Sequence, residues 1–188
     1  MTLLLLPAAL LATTPALTPA EVLTEALEGV PECLVEGRGG HLEARLRYAR
    51  EAWAARRDTL AKRIPPSDLA RLDLAFLHME GTGRAVAWAA LDGLEVLADQ
   101  LPLGPARHRS AARLVCLQAW FAADSSHWAT PPDLEAAFAP LLGRGRPGSA
   151  GIQTRMALDQ HRQAWNARNA PRCKGAARTL YGLVGTLD

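Results

Sequence analysis

The sequence has little net charge, few lysines and few aromatic residues. The 188-residue chain carries a formal net charge of +2, and its basic residues are arginines apart from Lys62 and Lys174. Aromatic residues make up only 5% of the chain. A nucleic-acid surface needs a basic stripe interleaved with aromatic side chains. We therefore expect no nucleic-acid partner.

Long hydrophobic runs are also missing. No apolar run approaches the roughly 20 residues that a membrane-spanning helix needs, although 49% of the residues are hydrophobic and 21% are charged. This balance is typical of a globular domain, and the chain is long enough to bury one core. We expect no membrane span in the mature chain and a single helical domain over residues 17–188.

Signatures of the best-known enzyme and cofactor classes are absent. The sequence contains no P-loop, H-E-x-x-H, G-x-S-x-G, C-x-x-C or C-x-x-C-H string, which would indicate nucleotide, zinc-protease, hydrolase, dithiol or haem chemistry. Gly143, Gly145 and Gly148 have the G-x-G-x-x-G spacing of a pyrophosphate loop. However, a helical segment precedes them instead of a strand, and Pro147 removes a backbone donor, so we interpret them as a connector. We assign no catalytic residue and expect no cofactor.

The first residues have the pattern of an export signal. An apolar run of signal-peptide length covers residues 3–12, and a region of small residues follows it. No basic residue precedes the run, so a first helix packed into the core is the alternative. We expect residues 1–16 to be a signal peptide and the protein to be periplasmic or secreted.

A helix-capping pattern locates the expected cleavage site. Thr18, Pro19 and Glu21 have the arrangement of a capping box with proline at the first helical position. Cleavage after Ala20 would remove this cap, whereas cleavage after Ala16 keeps it whole. We therefore expect the mature chain to begin at Leu17.

The hydrophobic period is helical nearly everywhere, and no stretch shows the alternation of a β-strand. A long helix is predicted over residues 41–63, with its apolar stripe ending near Trp53 and Leu60. Further helices are predicted over 19–28, 67–79, 84–101 and 108–124, from Thr130 onward, around Met156 and Trp165, and around Tyr181 and Leu183. Residues 29–40 are predicted to be a connector. The sequence therefore predicts an all-α, irregular single-domain bundle of about five to seven helices without a sheet.

The three cysteines occur in two kinds of surroundings. Cys116 lies in an apolar helical run and is expected to be a buried, inert thiol; its alternative role, as a nucleophile with a histidine base, has no supporting motif. Cys33 and Cys173 lie beside prolines in interrupted segments. In an oxidising compartment we expect these two residues to form a disulfide.

A metal site has one dispersed set of candidates. The five histidines never occur at the i, i+3 or i, i+4 spacing that places two ligands on one helix face. His78, Met79, Met156 and His161 would supply nitrogen and thioether ligands that suit copper in an exported protein. Both methionines also fit apolar stripes, and His78 and Met79 do not share a helix face, so copper binding is an alternative to the expected function.

Two segments repeat one pattern. Residues 50–57 and 162–169 read REAWAARR and RQAWNARN. Trp53 and Trp165 can each anchor a helix face, while Arg57 and Arg168 lie over a ring or pair with an acid. We expect core anchors at these positions, and a partner-binding surface is the alternative.

The first of these segments carries a resemblance. AREAWAARRDTLA resembles the Q-x-x-W-x-x-x-R-D segment of LprI-type, lysozyme-inhibitor-like secreted helical domains, in which a cysteine usually follows. Trp53, Arg57 and Asp58 match this pattern, whereas Arg50 replaces the glutamine and Ala61 stands at the cysteine position.

The second segment matches a different part of the same pattern. Trp165 and Cys173 have the spacing of that family, and Asn169 replaces its arginine. The resemblance implies a small exported helical binding module that acts on an envelope or host protein. We therefore predict an exported, non-catalytic interaction or inhibitor-like module whose protein partner, in the envelope or outside the cell, is unknown. A periplasmic copper-type protein and an enzyme with a site dispersed in sequence are the alternatives.

Overall fold

The computed structural model describes residues 17–81, 84–124, 128, 130–143 and 148–187. Within these ranges there are eight α-helices, two short 3-10 turns (Gly39–His41 and Val184–Thr186) and no strand. The helices are α1 (Pro19–Val35), α2 (Leu42–Ala61), α3 (Pro66–His78), α4 (Arg84–Ala98), α5 (Pro105–Ala122), α6 (Leu134–Leu142), α7 (Ser149–Asn166) and α8 (Ala170–Leu183). The all-α prediction is confirmed. The described ranges hold one helix more than the predicted five to seven, and each of the eight corresponds to a segment predicted as helical.

The first helix begins as predicted and ends later than predicted. The Thr18 hydroxyl accepts a hydrogen bond from the Glu21 amide at 3.3 Å, and the Glu21 carboxylate accepts one from the Thr18 amide at 2.6 Å, which confirms the capping box. The helix then continues through Pro31 to Val35, so the connector predicted over 29–40 is wrong in its first part. A proline inside a helix costs one backbone hydrogen bond. Burial of Val30, Cys33 and Val35 offsets that cost. The signal-peptide prediction for residues 1–16 lies outside the described residues.

Two hydrophobic cores share helix α5. Helices α1 to α4 enclose the first core, into which α5 inserts Leu114, Leu117 and Phe121. Helices α5 to α8 enclose the second core. Trp120 on α5 and Tyr181 on α8 pack against both cores. Because α5 contacts α1, α4, α6 and α8, it joins the two halves of the bundle into one domain.

Helix α1 packs closely on α4 and also contacts α2 and α5. A Cβ atom added to Gly93 of α4 would lie 2.8 Å from Leu27 Cδ1 of α1. Real Cβ atoms do not come that close to a neighbouring carbon, so a larger residue at position 93 would force the Leu27 side chain to shift. Throughout the described ranges, no helix has the length and apolar character that a bilayer span requires.

Candidate functional site

The C-terminal half of α7, residues 158–166, separates two surface cavities. The α6–α7 pocket has a volume of about 330 Å³ and lies between this segment and residues 130–135. The α7–α8 cleft has a volume of about 590 Å³ and lies on the other side of the segment, against the start of α8. Both cavities therefore flank the second of the two repeated tryptophan segments.

The wall of the α6–α7 pocket follows from helical spacing on one side and helix capping on the other. His161, Arg162, Trp165 and Asn166 line the pocket from α7, because residues three or four positions apart lie close together on a helix surface. Opposite them, Pro131 and Pro132 precede α6. The Asp133 carboxylate then accepts a hydrogen bond from the Ala136 amide at 2.9 Å and caps the helix.

His161 is the buried polar group of this pocket. Its side chain is 3% exposed, and among the described residues no hydrogen-bond partner lies within reach of its Nε2. Burial lowers the pKa of His161, so that its imidazole is neutral at pH 7. A buried polar atom without a partner costs about 1 to 3 kcal/mol. The pocket therefore contains a hydrogen-bonding group that the described protein does not satisfy.

Trp165 forms the aromatic part of the wall. It is 6% exposed, and its ring packs edge-to-face on Trp128 at 4.8 Å between centroids. The imidazole of His161 lies 5.9 Å from the same indole ring. Ala123, Ala164 and Cys173 complete a small apolar cluster around it. Trp165 is thus a buried side chain that also lines a cavity.

Charged groups lie at the rim of the pocket and connect α6 to α7. Arg162 pairs with Glu135 at 3.0 Å and also with Asp159 on its own helix. All three side chains are exposed, and exposed ion pairs contribute little to stability. Both acidic residues that line the pocket therefore already have partners, since Glu135 pairs with Arg162 and Asp133 caps α6.

The α7–α8 cleft is more polar than the α6–α7 pocket. Gln160 and Gln163 line it from α7, and Asn169 and Arg172 line it from the start of α8. Asn169 caps α8, because its side-chain oxygen accepts a hydrogen bond from the Arg172 amide at 3.1 Å. Arg168 is exposed at the preceding turn, where its φ of +51° closes α7.

The first tryptophan segment forms a helix–helix contact instead of a cavity. Trp53 is 8% exposed and stacks on Phe76 with 4.6 Å between ring centroids and an interplanar angle of 7°. One turn later, Arg57 donates two hydrogen bonds to Asp73, at 2.7 and 2.6 Å. These bonds hold the pKa of Asp73 below its usual value. The two contacts together attach α3 to α2, so the two segments of similar sequence have different surroundings.

The structure does not bring the four candidate copper ligands together. Met79 is buried in the first core, while His78 beside it is exposed. Met156 is exposed on α7, whereas His161 is buried. Helix α3 packs on α2 and α4, whereas α7 packs on α6 and α8. Within the described ranges, no group of three or more histidine, cysteine or acidic side chains could hold a metal ion.

The structure also does not form the disulfide predicted between Cys33 and Cys173. All three cysteines are described, and each is a free, buried thiol. Cys33 lies near the end of α1, beside a cavity lined by His41 and Tyr48, whereas Cys173 is enclosed in the cluster around Trp165. The two thiols are therefore packed in different parts of the bundle. The predicted burial of Cys116 is confirmed, and this burial raises its pKa.

A buried polar cluster that the sequence analysis missed joins the two halves of the bundle. Glu28 of α1 is 9% exposed and accepts hydrogen bonds from Ser110 Oγ at 3.1 Å and from Arg113 Nη1 at 3.3 Å. The Arg113 guanidinium lies 6.0 Å from the ring centroid of Tyr181. Burial raises the pKa of Glu28, and the positive charge of Arg113 opposes this effect.

One feature of the sequence could have indicated the buried cluster around Glu28. Glu28 falls on the buried stripe of α1 that includes Leu23, Thr24 and Leu27. An acidic residue on an apolar stripe needs a buried partner. None of the four polar residues of this cluster lines the α6–α7 pocket or the α7–α8 cleft, so we interpret the cluster as structural.

The glycine-rich segment is described only at its ends. Gly143 ends α6 with a φ of +60°, and Gly148 caps the start of α7. Gly145 and Pro147 lie outside the described residues. Because a helix and not a strand precedes the segment, the context of a pyrophosphate loop is not met.

Comparison with protein-family models, curated proteins and solved structures finds no match to this chain. The resemblance to LprI-type domains therefore depends on the two tryptophan segments alone.

Proposed function

We propose that the protein is an exported, non-catalytic helical module that binds a protein partner through the C-terminal half of α7. The observation that carries this proposal is the position of residues 158–166 between the α6–α7 pocket and the α7–α8 cleft. A single helical segment that lines two adjacent cavities offers a partner both an apolar and a polar recess. Interface hot spots are typically side chains that fill such recesses.

The chemistry of the α6–α7 pocket supports binding over catalysis. Its wall is largely apolar and aromatic, with a few polar groups, as is usual in binding sites. His161 is its only imidazole among the described lining residues. Asp133 caps α6 and Glu135 pairs with Arg162, so both acids beside the pocket already have other roles.

The export part of the proposal is supported by the sequence. The apolar run at residues 3–12 has the length of a signal peptide, and the helix cap at Thr18 begins immediately after the expected cleavage site. The LprI-type domains that the two tryptophan segments resemble are also secreted. We propose a periplasmic or secreted location, with the partner in the envelope or outside the cell.

Site-specific photo-crosslinking in the source cells tests the binding surface. A benzophenone amino acid replaces Gln163, which is exposed on α7 and lines the α7–α8 cleft. The matched control carries the same amino acid in place of Glu43, which is exposed on α2. We expect one discrete crosslinked protein at position 163 that is absent at position 43. Equal crosslinking at both positions, or none at 163 with an intact chain, would contradict the proposal.

Export is tested separately by the mass of the protein recovered from the envelope or medium. The expected mature chain begins at Leu17. Recovery of a chain that still carries residues 1–16 would contradict export in the form proposed, whatever the crosslinking result.

A further inference from the structure

The α6–α7 pocket is large enough for a ring-shaped group. Ligand pockets range from about 300 to about 1,000 Å³, so a volume of about 330 Å³ lies at the lower end of that range. The pocket can hold a group of about the size of one aromatic side chain.

His161 is the residue of the pocket that lacks a hydrogen-bond partner. Its Nε2 has no partner among the described residues although the side chain is almost fully buried. The amide of Asn166, one helix position after Trp165, lines the same wall and can both donate and accept. An occupant that brings a hydroxyl group could therefore use both neighbours.

We propose that the α6–α7 pocket binds a neutral phenol ring, namely the side chain of a tyrosine on the partner protein, whose hydroxyl donates a hydrogen bond to His161 Nε2. The ring lies against Trp165 and the two prolines that precede Asp133. This inference rests on the proposed function, because it names the group by which the partner is anchored. Tyrosine combines an apolar body with a polar tip and is enriched at interface hot spots.

Other groups fit the pocket less well. An aliphatic side chain would leave Nε2 without a partner, and a carboxylate would lie near Asp133 and Glu135. An ammonium or guanidinium group would have to share Asp133, which caps α6, or Glu135, which pairs with Arg162. Nε2 is itself buried, so the side chains around it must shift before a hydroxyl can reach it. We therefore expect weak binding of an isolated ring.

Three small probes of nearly equal shape separate the hydrogen bond from simple apolar filling. p-Cresol is the tyrosine side chain, 4-methylanisole has the same ring without a donor, and toluene lacks the oxygen. Each is titrated into the purified protein and followed by amide chemical shifts of residues 158–166. We expect p-cresol to bind about three- to tenfold more tightly than the other two, the range that one neutral hydrogen bond supplies.

His161→Phe is the variant that removes Nε2 and keeps an aromatic ring. We expect it to abolish the preference for p-cresol, whereas His108→Phe, at an exposed position on α5, keeps the preference. A measurement on the wild type does not depend on whether His161→Phe folds: the ¹⁵Nε2 resonance of His161 should shift with p-cresol and not with toluene. Equal affinities for the three probes, or no shift at this nitrogen, would overturn the proposal.

Peptides distinguish a tyrosine side chain of the partner from a free phenol as the group that occupies the pocket. Two peptides that differ only at the central position, with tyrosine in one and phenylalanine in the other, are titrated in the same way. Preference for the tyrosine peptide supports the protein anchor. Binding of p-cresol without binding of the peptide overturns the tyrosine assignment and indicates a free phenol. Crosslinking at position 163 can succeed or fail independently, so a failure of this inference is distinguishable from a failure of the proposed function.

Discussion

Replacement of Trp53 by alanine removes the side chain that packs α2 onto α3. The indole is 8% exposed and stacks on Phe76 with 4.6 Å between centroids. The substitution therefore loses the transfer free energy of a large buried ring, leaves a cavity in the first core and removes an aromatic pair.

The expected loss of stability is about 3 to 5 kcal/mol, of which the aromatic pair contributes about 0.5 to 1.5 kcal/mol. A domain of this kind has a total stability of about 5 to 15 kcal/mol. In a domain of this length, the melting temperature should fall by about 6 to 20 °C. The Arg57–Asp73 pair next to the ring is only half-buried and cannot replace the lost packing.

Urea unfolding and thermal melts followed by circular dichroism measure this effect. Trp88→Ala is the matched control, because Trp88 is 40% exposed on α4 and its ring lies 6.1 Å from that of Phe121. The control should lose clearly less stability than Trp53→Ala. A loss below about 1 kcal/mol for Trp53→Ala, or equal losses for both variants, would refute the assignment of Trp53 to the core.

Three further experiments test the buried acid, the helix cap and the cysteines. Burial raises the pKa of Glu28 above the unfolded value of 4.5, so the contribution of Glu28 to stability is complete below that value and is lost as the pH rises through the folded-state pKa. In urea titrations from about pH 4 to about pH 8, the wild type should therefore lose stability relative to Glu28→Gln. A stability difference that stays constant over this range would contradict the raised pKa. Thr18→Ala should cost about 1 kcal/mol and Thr18→Ser much less; equal losses in thermal melts would exclude the cap. All three thiols are free and buried, so Ellman's reagent should react slowly with the native protein and count three thiols after denaturation without reductant; a count of one would show a disulfide.

Much of the fold follows from local sequence signals. The capping box at Thr18 needs only residues within one turn, and the apolar stripes that bury Trp53 and Trp165 repeat at the helical period. The continuation of α1 through Pro31 could not be predicted in this way. It depends on burial of Val30 and Val35 against other helices, which offsets the local cost of the proline.

The candidate site depends on contacts that are distant in sequence. The α6–α7 pocket exists because residues 130–135 lie opposite His161 and Trp165, and no helical period indicates that approach. Glu28 likewise finds Ser110 and Arg113, which are 82 and 85 residues away. The sequence predicted a helix from Thr130 onward, but the cavity beside the start of α6 depends on the tertiary structure.

Amide hydrogen exchange of the chain with and without the protein captured at position 163 tests the proposed binding surface most directly. We predict slower exchange over residues 158–166 and at the start of α6 when the partner is bound, with no change over α2. Protection confined to α2 and α3, with residues 158–166 unchanged, would contradict the assignment of α7 as the binding surface.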